Sequence, residues 1–383
     1  MRREDGDRTF PRRVAFLTTS LMRAGAETQV LRLALALRAR GREVLVVSMV
    51  RPLDYVDRLE AAGVRVVSLE MPKGAPRPGA VVRLVRLLRE WRPEVLACFM
   101  FHASLLGRVA GRLARVPVVV SSVRTSRMGS PLQQRLLAWT DALSDATTAN
   151  SAAVAAELRR RGICAAERVW HLPNAIDPDE VRPSRPREAT RDALGIRPGD
   201  FLWLAVGNLM PDKDYPALLR AFARVAGEDA AARLRIAGAG PLEGELRALA
   251  AELRVEEAVF LGRRADVADL LAAADAFVMS SAYEGVPNAL MEAFLAGLPA
   301  VATDVGGVGE LLRDGEGGAL VPAGDPERLA SAMRDIAALD PTRRGERGAA
   351  GRRRVLELCS LDRVVDRWEA LFAELRARGG GGR

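Results

Sequence analysis

Short β-branched runs alternate with amphipathic helical stretches along most of the chain. The first half reads VAFLTTS (14–20), a helix from about Glu27 to Arg40, VLVVSMV (44–50), another helix, and VRVVSLE (64–70). It continues through EVLACFM (94–100), VPVVVSS (116–122), DATTANS (145–151) and RVWHLPN (168–174). That rhythm predicts βαβ units and parallel sheet. It breaks over residues 176–200, where four prolines and many charges suit a linker running into a short helix. It then restarts with FLWLAVG (201–207), RLRIAGA (233–239), AVFLG (258–262), DAFVMSS (275–281) and LPAVATD (298–304).

The expected fold class is therefore α/β, with two doubly wound, Rossmann-like sheets in tandem over residues 14–175 and 176–358. A helix within 359–377, LDRVVDRWEALFAELR, follows no further strand and must pack as an extra layer. The tails 1–13 and 378–383 read as disordered. Doubly wound sheets bind ligands beyond the carboxyl ends of their strands, and two such sheets facing each other enclose a cleft.

With 383 residues, 49% of them hydrophobic and 28% charged, the chain has material for two packed cores. No run approaches the ~18 apolar residues of a membrane span, and MRREDGDRTFPRR carries charges where a signal peptide would be apolar. The expected compartment is the cytoplasm. Cys98, Cys164 and Cys359 are far apart and show no C-x-x-C spacing, so neither a disulfide framework nor a zinc site is indicated.

Charge adds one feature. Residues 71–140 hold 12 Lys+Arg against 2 Asp+Glu, while the rest of the chain carries 45 against 47. Such a stretch can attract an anionic membrane surface or an anionic substrate. The competing reading is that a chain with 55 Arg and 2 Lys decorates helices with arginine. In RPGAVVRLVRLLREW, Arg83 and Arg86 share one helical face while Val81, Leu84 and Leu88 share another, which suits a helix on a membrane or on its own sheet.

Candidate chemistry lies at strand ends. Gly25 and Ala26 form a small-residue turn before a helix, a place where backbone N–H groups meet anions. No G-x-G-x-x-G is present, so a dinucleotide fingerprint is absent. Gly207 and Asn208 follow a strand, and Lys213 stands beside the next helix as a compact cation for phosphate. His102 follows an apolar strand, where it can donate to a sugar hydroxyl or sit hydrogen-bonded in the core. Asp177 and Asp179 make a D-x-D that could hold a metal, but in the linker rather than at a strand end.

Residues 283–299, YEGVPNALMEAFLAGLP, place Glu284 and Glu292 around Gly285, Val286, Pro287 and Asn288. Glu284 follows the strand DAFVMSS, Gly285 to Asn288 open the helix with Pro287 near its first position, and Glu292 lies inside it; at 3.6 residues per turn, eight positions amount to about 80° and 12 Å. The two carboxylates would then look into one cleft at two depths, each able to bridge a vicinal diol. A nucleotide-sugar has two such diols, on hexose and ribose.

The chain resembles glycosyltransferase family 4, the retaining enzymes of the GT-B fold. The likeness rests on AGAETQVLRLALALRARGREV, NAID (174–177), GNLMPDKDYPALLRAF, GAGPLEGELRALA and the E-x7-E of Glu284 and Glu292 in their surroundings. It implies a terminal helix that crosses back onto the first domain, and a hexosyltransferase that takes a nucleotide diphosphate sugar as donor, with no metal or other cofactor. The acceptor would be a glycan, a lipid-linked glycan or another small molecule, held by the first domain. Glu284 would contact the donor hexose, Glu292 the ribose, Lys213 the diphosphate, His102 the sugar near the reacting centre, and the Arg263 region the base. Nucleic acid is not an expected partner. The expected place of action is the cytoplasm, peripheral at the inner face of the membrane, in polysaccharide or envelope synthesis. An epimerase or hydrolase of the same fold, or an idle nucleotide-sugar-binding partner, are the rival readings. Two positions depart from the family's pattern: Asn208 replaces a usual arginine, so Arg264 is a candidate for the missing phosphate contact, and Asp214 replaces a usual glycine.

Overall fold

The computed structural model describes residues 10–51, 54–72, 78–127, 129–255, 258–312 and 315–380. The first nine residues and the last three of the expected tails lie outside the described residues. The chain divides into two compact units, one running to Ala175 and including the helix Leu361–Gly380, the other Ile176–Ser360.

The first unit is a seven-stranded parallel sheet. Its strands are β1 (Arg13–Thr18), β2 (Glu43–Ser48), β3 (Arg65–Ser68), β4 (Val95–Phe99), β5 (Val118–Val123), β6 (Ala146–Ala149) and β7 (Val169–His171), in the order β3-β2-β1-β4-β5-β6-β7. Side chains of β1 alternate between two cores, as successive residues of a strand must. Val14 and Phe16 pack with the helix Gly25–Ala39 and with Trp368 and Phe372 of the terminal helix; Ala15 and Leu17 pack with Leu84, Leu88 and Leu106. Burial on both faces is why these strands read as apolar runs.

The second unit is a six-stranded parallel sheet of β8 (Phe201–Val206), β9 (Ala232–Ala237), β10 (Ala258–Gly262), β11 (Ala276–Met279), β12 (Ala300–Thr303) and β13 (Gly318–Val321), in the order β10-β9-β8-β11-β12-β13. Trp203 of β8 faces a core with Phe222 and Met333, and Leu204 faces one with Phe294 and Leu311.

Four differences from the sequence expectation have physical causes. Strand β13, absent from the expected set, is the four-residue GALV after a glycine-rich turn, too short to announce itself by periodicity. At the termini, Phe10 stacks under the Arg42 guanidinium and Pro11 is buried, so order begins before residue 14; the last helix runs on to Gly380, past the expected end at 377. Apart from these differences, Asp177 of the D-x-D accepts from the Asp179 N–H at 2.9 Å, a local turn within the expected linker.

The fourth difference concerns the arginine-rich stretch, which is not one exposed patch. Arg108 and Arg124 are 1% and 8% exposed. Arg83 donates to the Leu69 carbonyl, Arg89 to that of Leu113, and Arg112 to Asp145. The helix Pro78–Trp91 sets Leu84, Val85 and Leu88 into its own sheet.

Candidate active site

In the second unit, strand order reverses between β8 and β11, and loops that diverge there leave a crevice at the carboxyl ends. From β8 the chain passes Gly207 and Asn208 into the turn Pro211–Lys213; from β11 it passes Ser280 and Ser281 to Glu284. Lys213 Nζ donates to Glu284 Oε1 at 2.5 Å, and Ser281 Oγ donates to the same oxygen at 2.8 Å. The two side chains are 25% and 10% exposed. The loops are tied by Ala282 N–H to the Asp212 carbonyl at 2.8 Å and by Ser280 Oγ to the Lys213 carbonyl at 2.9 Å.

The residue after the lysine explains its own departure from the family. Asp214 has φ 44 and ψ 47, the left-handed conformation that glycine takes freely and aspartate tolerates. Its carboxylate also accepts from Ala217 N–H at 3.3 Å and so caps the helix Tyr215–Glu228, which glycine could not do. Burial raises the Asp214 pKa. Next to it, Tyr215 donates to the Gly207 carbonyl at 3.0 Å, and burial, with the charges of Glu284 and Asp212, pushes its phenol up.

Two glycines let backbone strands of this site touch. A Cβ on Gly238 would lie 1.9 Å from the Gly207 carbonyl oxygen, and one on Gly306 would lie 2.2 Å from that of Glu284. Gly306 also has φ +57, and Gly307 N–H donates to the Gly285 carbonyl. The backbone carrying Glu284 is therefore clamped from the β12 side.

Glu284 through Pro287 are buried, and the helix Asn288–Leu295 starts after Pro287, whose side chain offers it no cap. Glu284 thus precedes the helix by four residues and Glu292, half-buried, lies on it, as the strand-turn-helix reading has them; the 80° and 12 Å of a continuous helix do not apply to the pair. Arg263 is exposed. Arg264 donates to Asp266 at 2.8 and 2.5 Å and holds that carboxyl below its usual range.

In the first unit the order reverses between β1 and β4. Gly25, exposed, and Ala26, half-buried, open the helix Gly25–Ala39, whose preceding residue Ala24 gives no side-chain cap. Glu27 in the same turn is buried and accepts from Ser20 Oγ at 2.8 Å; burial raises its pKa. His102 is the second residue of the helix Phe101–Ala114 and is exposed, so it is not a core histidine. Its ring stands edge-on to Phe101 at 5.0 Å, after Met100 at φ 74, a costly backbone for a non-glycine.

Ser281, Tyr215, Gly238, Gly306 and Arg124 escaped the sequence reading. The paired glycines of DVGGVGE and the G-A-G after β9 were available signals for the close approaches. Arg124 was hidden among the other arginines. Among the described residues, no group of three or more His, Cys, Asp and Glu is placed to hold a metal.

A model of glycosyltransferase family 4 matches residues 23–180, and a model of the glycosyl transferases group 1 matches residues 200–338. The two matches take in 158 and 139 of the 383 residues, so the chain is similar to glycosyltransferases along most of its length. An exopolysaccharide phosphotransferase of Streptomyces coelicolor is 36% identical over 219 residues, 56% of this chain and 22% of that protein. A GDP-mannose-dependent α-(1-6)-phosphatidylinositol monomannoside mannosyltransferase of Mycolicibacterium smegmatis is 29% identical over 325 residues, 79% of this chain and 82% of that one. The chain thus spans about a fifth of the first relative's length and most of the other's. An Anabaena protein, HepE, in complex with UDP-glucose superposes with a TM-score of 0.82 at 23% identity, covering 94% of this chain and 99% of that one, which places the chain in the GT-B fold.

Proposed function

We propose that this chain is a family 4 glycosyltransferase that transfers a hexose from a nucleotide diphosphate sugar to a glycan or lipid-linked acceptor, with retention at the anomeric carbon, in envelope or polysaccharide synthesis. The observation that carries the reading is the Lys213–Glu284 pair at the reversal point of the second sheet. When donor arrives, the ammonium exchanges Glu284 for the diphosphate, and the released carboxylate accepts from the hexose hydroxyls. Glu292 holds the ribose, and the Arg263 loop meets the base. The acceptor oxygen then bonds to the anomeric carbon on the face from which the phosphate leaves, and the leaving phosphate takes the acceptor's proton. Catalysis is mostly charge stabilisation and alignment. In the first unit, His102 donates to the sugar, and Gly25 and Ala26 lie against the anionic part of the donor. Lys213 supplies the charge that a metal would, so turnover needs no divalent ion.

The helix Pro131–Trp139 is the surface we assign to an anionic membrane at the cytoplasmic face. Leu132 is 62% and Trp139 74% exposed, Leu136 is half-buried on the same side, and Arg135 beside them is exposed. Apolar side chains with a flanking cation suit the interface of a bilayer.

The test is to incubate the chain with a panel of UDP- and GDP-sugars, with and without lipid extract, in chelator, and to read product and anomeric configuration by NMR. Transfer that needs acceptor and survives chelation is expected. Product from donor alone would mean an epimerase or hydrolase, and nucleotide binding without turnover an idle partner.

A further inference from the structure

The two loops that carry the Lys213–Glu284 pair hold three further side chains that the transfer chemistry leaves unused. They are Met210, Asp212 and Tyr283. Because the Ala282 N–H binds the Asp212 carbonyl at 2.8 Å, Asp212 and Tyr283 sit on neighbouring backbone segments, with Met210 two residues before the one and Glu284 directly after the other. The Asp212 carboxylate is half-buried, and it makes no hydrogen bond or ion pair with any described residue. Burial, then the charge of Glu284, then that of Asp212 push the Tyr215 phenol up, so both carboxylates stand near the same hydroxyl.

Tyr283 differs from the other two tyrosines of the chain. Tyr55 and Tyr215 are 8% and 4% exposed, and their hydroxyls are engaged by Thr28 Oγ1 at 2.8 Å and by the Gly207 carbonyl at 3.0 Å, whereas Tyr283 is 51% exposed. Met210 is 40% exposed. The backbone beneath both is fixed: the Met210 carbonyl accepts from Lys213 N–H at 3.1 Å, and Gly306 packs on the carbonyl of Glu284. A tyrosine ring on such a support offers a large contact face and has few rotamers to lose.

The chemistry of these groups selects the occupant. An ionised carboxylate only accepts, through two oxygens, and so suits a pair of hydroxyls, while the negative face of an aromatic ring suits C–H groups. A pyranose presents both, as a C–H face and a rim of hydroxyls. A second phosphate would be repelled by Asp212, and a bare hydrocarbon chain would strip water from its carboxylate without replacing it. We propose that Asp212, Tyr283 and Met210 form a subsite for a sugar ring of the acceptor, with Tyr283 stacked on its C–H face, Asp212 accepting from two of its hydroxyls and Met210 at its border. The proposal rests on the transferase reading for the word acceptor, and on these three side chains alone for sugar binding. It makes the reacting end of the acceptor a glycan, held by the second unit beside the donor.

The experiment is saturation-transfer NMR of the full chain with methyl α-D-glucopyranoside, methyl α-D-mannopyranoside and methyl α-D-galactopyranoside, with calorimetric titration of UDP and GDP into the same samples. At least one pyranoside is expected to bind and to take up saturation chiefly through the C–H groups of one ring face. Its affinity should fall about tenfold in Y283A and in D212N, and Y283F, which keeps the ring, should retain it. E284Q should stay within about twofold of the parent, because the sugar does not occupy the place assigned to the donor hexose. If Y283A or D212N fails to fold, the other variant and the ring-face pattern in the parent decide. Absence of pyranoside binding, binding unaltered in folded Y283A or D212N, or an equal loss in E284Q would each overturn the proposal. Nucleotide binding without pyranoside binding sinks the subsite alone, and pyranoside binding that needs Tyr283 and Asp212 without nucleotide binding sinks the donor reading alone.

Discussion

The two units end their sheets in the same way and equip those ends differently. At the reversal point of the second sheet the charges meet: Lys213, Ser281 and Glu284 share hydrogen bonds, and Gly306 clamps the glutamate's backbone. At the strand ends of the first unit, two buried polar atoms, Thr18 Oγ1 and Arg124 Nη2, have no partner. The second unit thus holds the groups of its site in place by their own contacts, whereas these two atoms of the first unit lie buried without a partner.

The largest effect should come from Glu284→Gln, which lowers kcat by about 10²-fold or more if the carboxylate acts where charge develops, while free nucleotide still binds. Glu292→Gln should instead weaken donor and free nucleotide alike by about 1.5–3 kcal/mol, the range of a charged hydrogen bond. Calorimetry with free nucleotide separates them, and an equal loss in both would end the division of labour between the two glutamates.

Gly306→Ala should lower stability by about 2–4 kcal/mol, since the new methyl group meets the Glu284 carbonyl at a left-handed φ. A chemical-denaturation midpoint close to that of the parent would show that the clamp yields, and the second unit would lose its claim to rigidity.

Lys213→Met and Arg124→Met test the contrast in charge pairing directly. The first strands Glu284, a side chain 10% exposed, without its cation and should cost about 1–3 kcal/mol. The second removes a buried cation that has no carboxylate, so it should change stability by less than about 1 kcal/mol or raise it. A larger loss for Arg124→Met would mean that its place between Phe99 and Trp368, 4.9 and 5.5 Å from the ring centres, outweighs its burial.

The smallest effect is a readout of the units themselves. Burial pushes the Cys98 thiol up to about 12 and that of Cys164 to about 11, and Cys359 is buried in the other unit. None should be alkylated in the native protein at pH 8. The protonated Cys98 thiol favours the folded state fully below pH 9, its unfolded value, and that contribution falls away as pH rises towards 12. In mild urea, Cys98 and Cys164 should become reactive together and Cys359 at its own rate. Identical rates at all three would mean that the units open as one.

Legibility followed the range of the interaction. The strands β1, β2, β4 and β8 were readable because parallel strands covered on both faces need continuous apolar runs, and Lys213 and Glu284 because they follow such strands at turns. GALV of β13 was not, since four residues carry no period. His102 read equally well as core or site until its exposure was seen. Alternation of strand and helix, the proline-rich break at 176–200 and the motif residues at strand ends are local properties, and the amino-acid sequence determined them by itself. Tertiary structure alone decided that Lys213 reaches Glu284 across 71 residues, that Gly306 supports it, and that Arg108 and Arg124 of the arginine-rich stretch lie inside. The physical reason is that a charge or a glycine looks the same in sequence whatever surrounds it, and burial, pairing and close approach come into being only when distant segments pack.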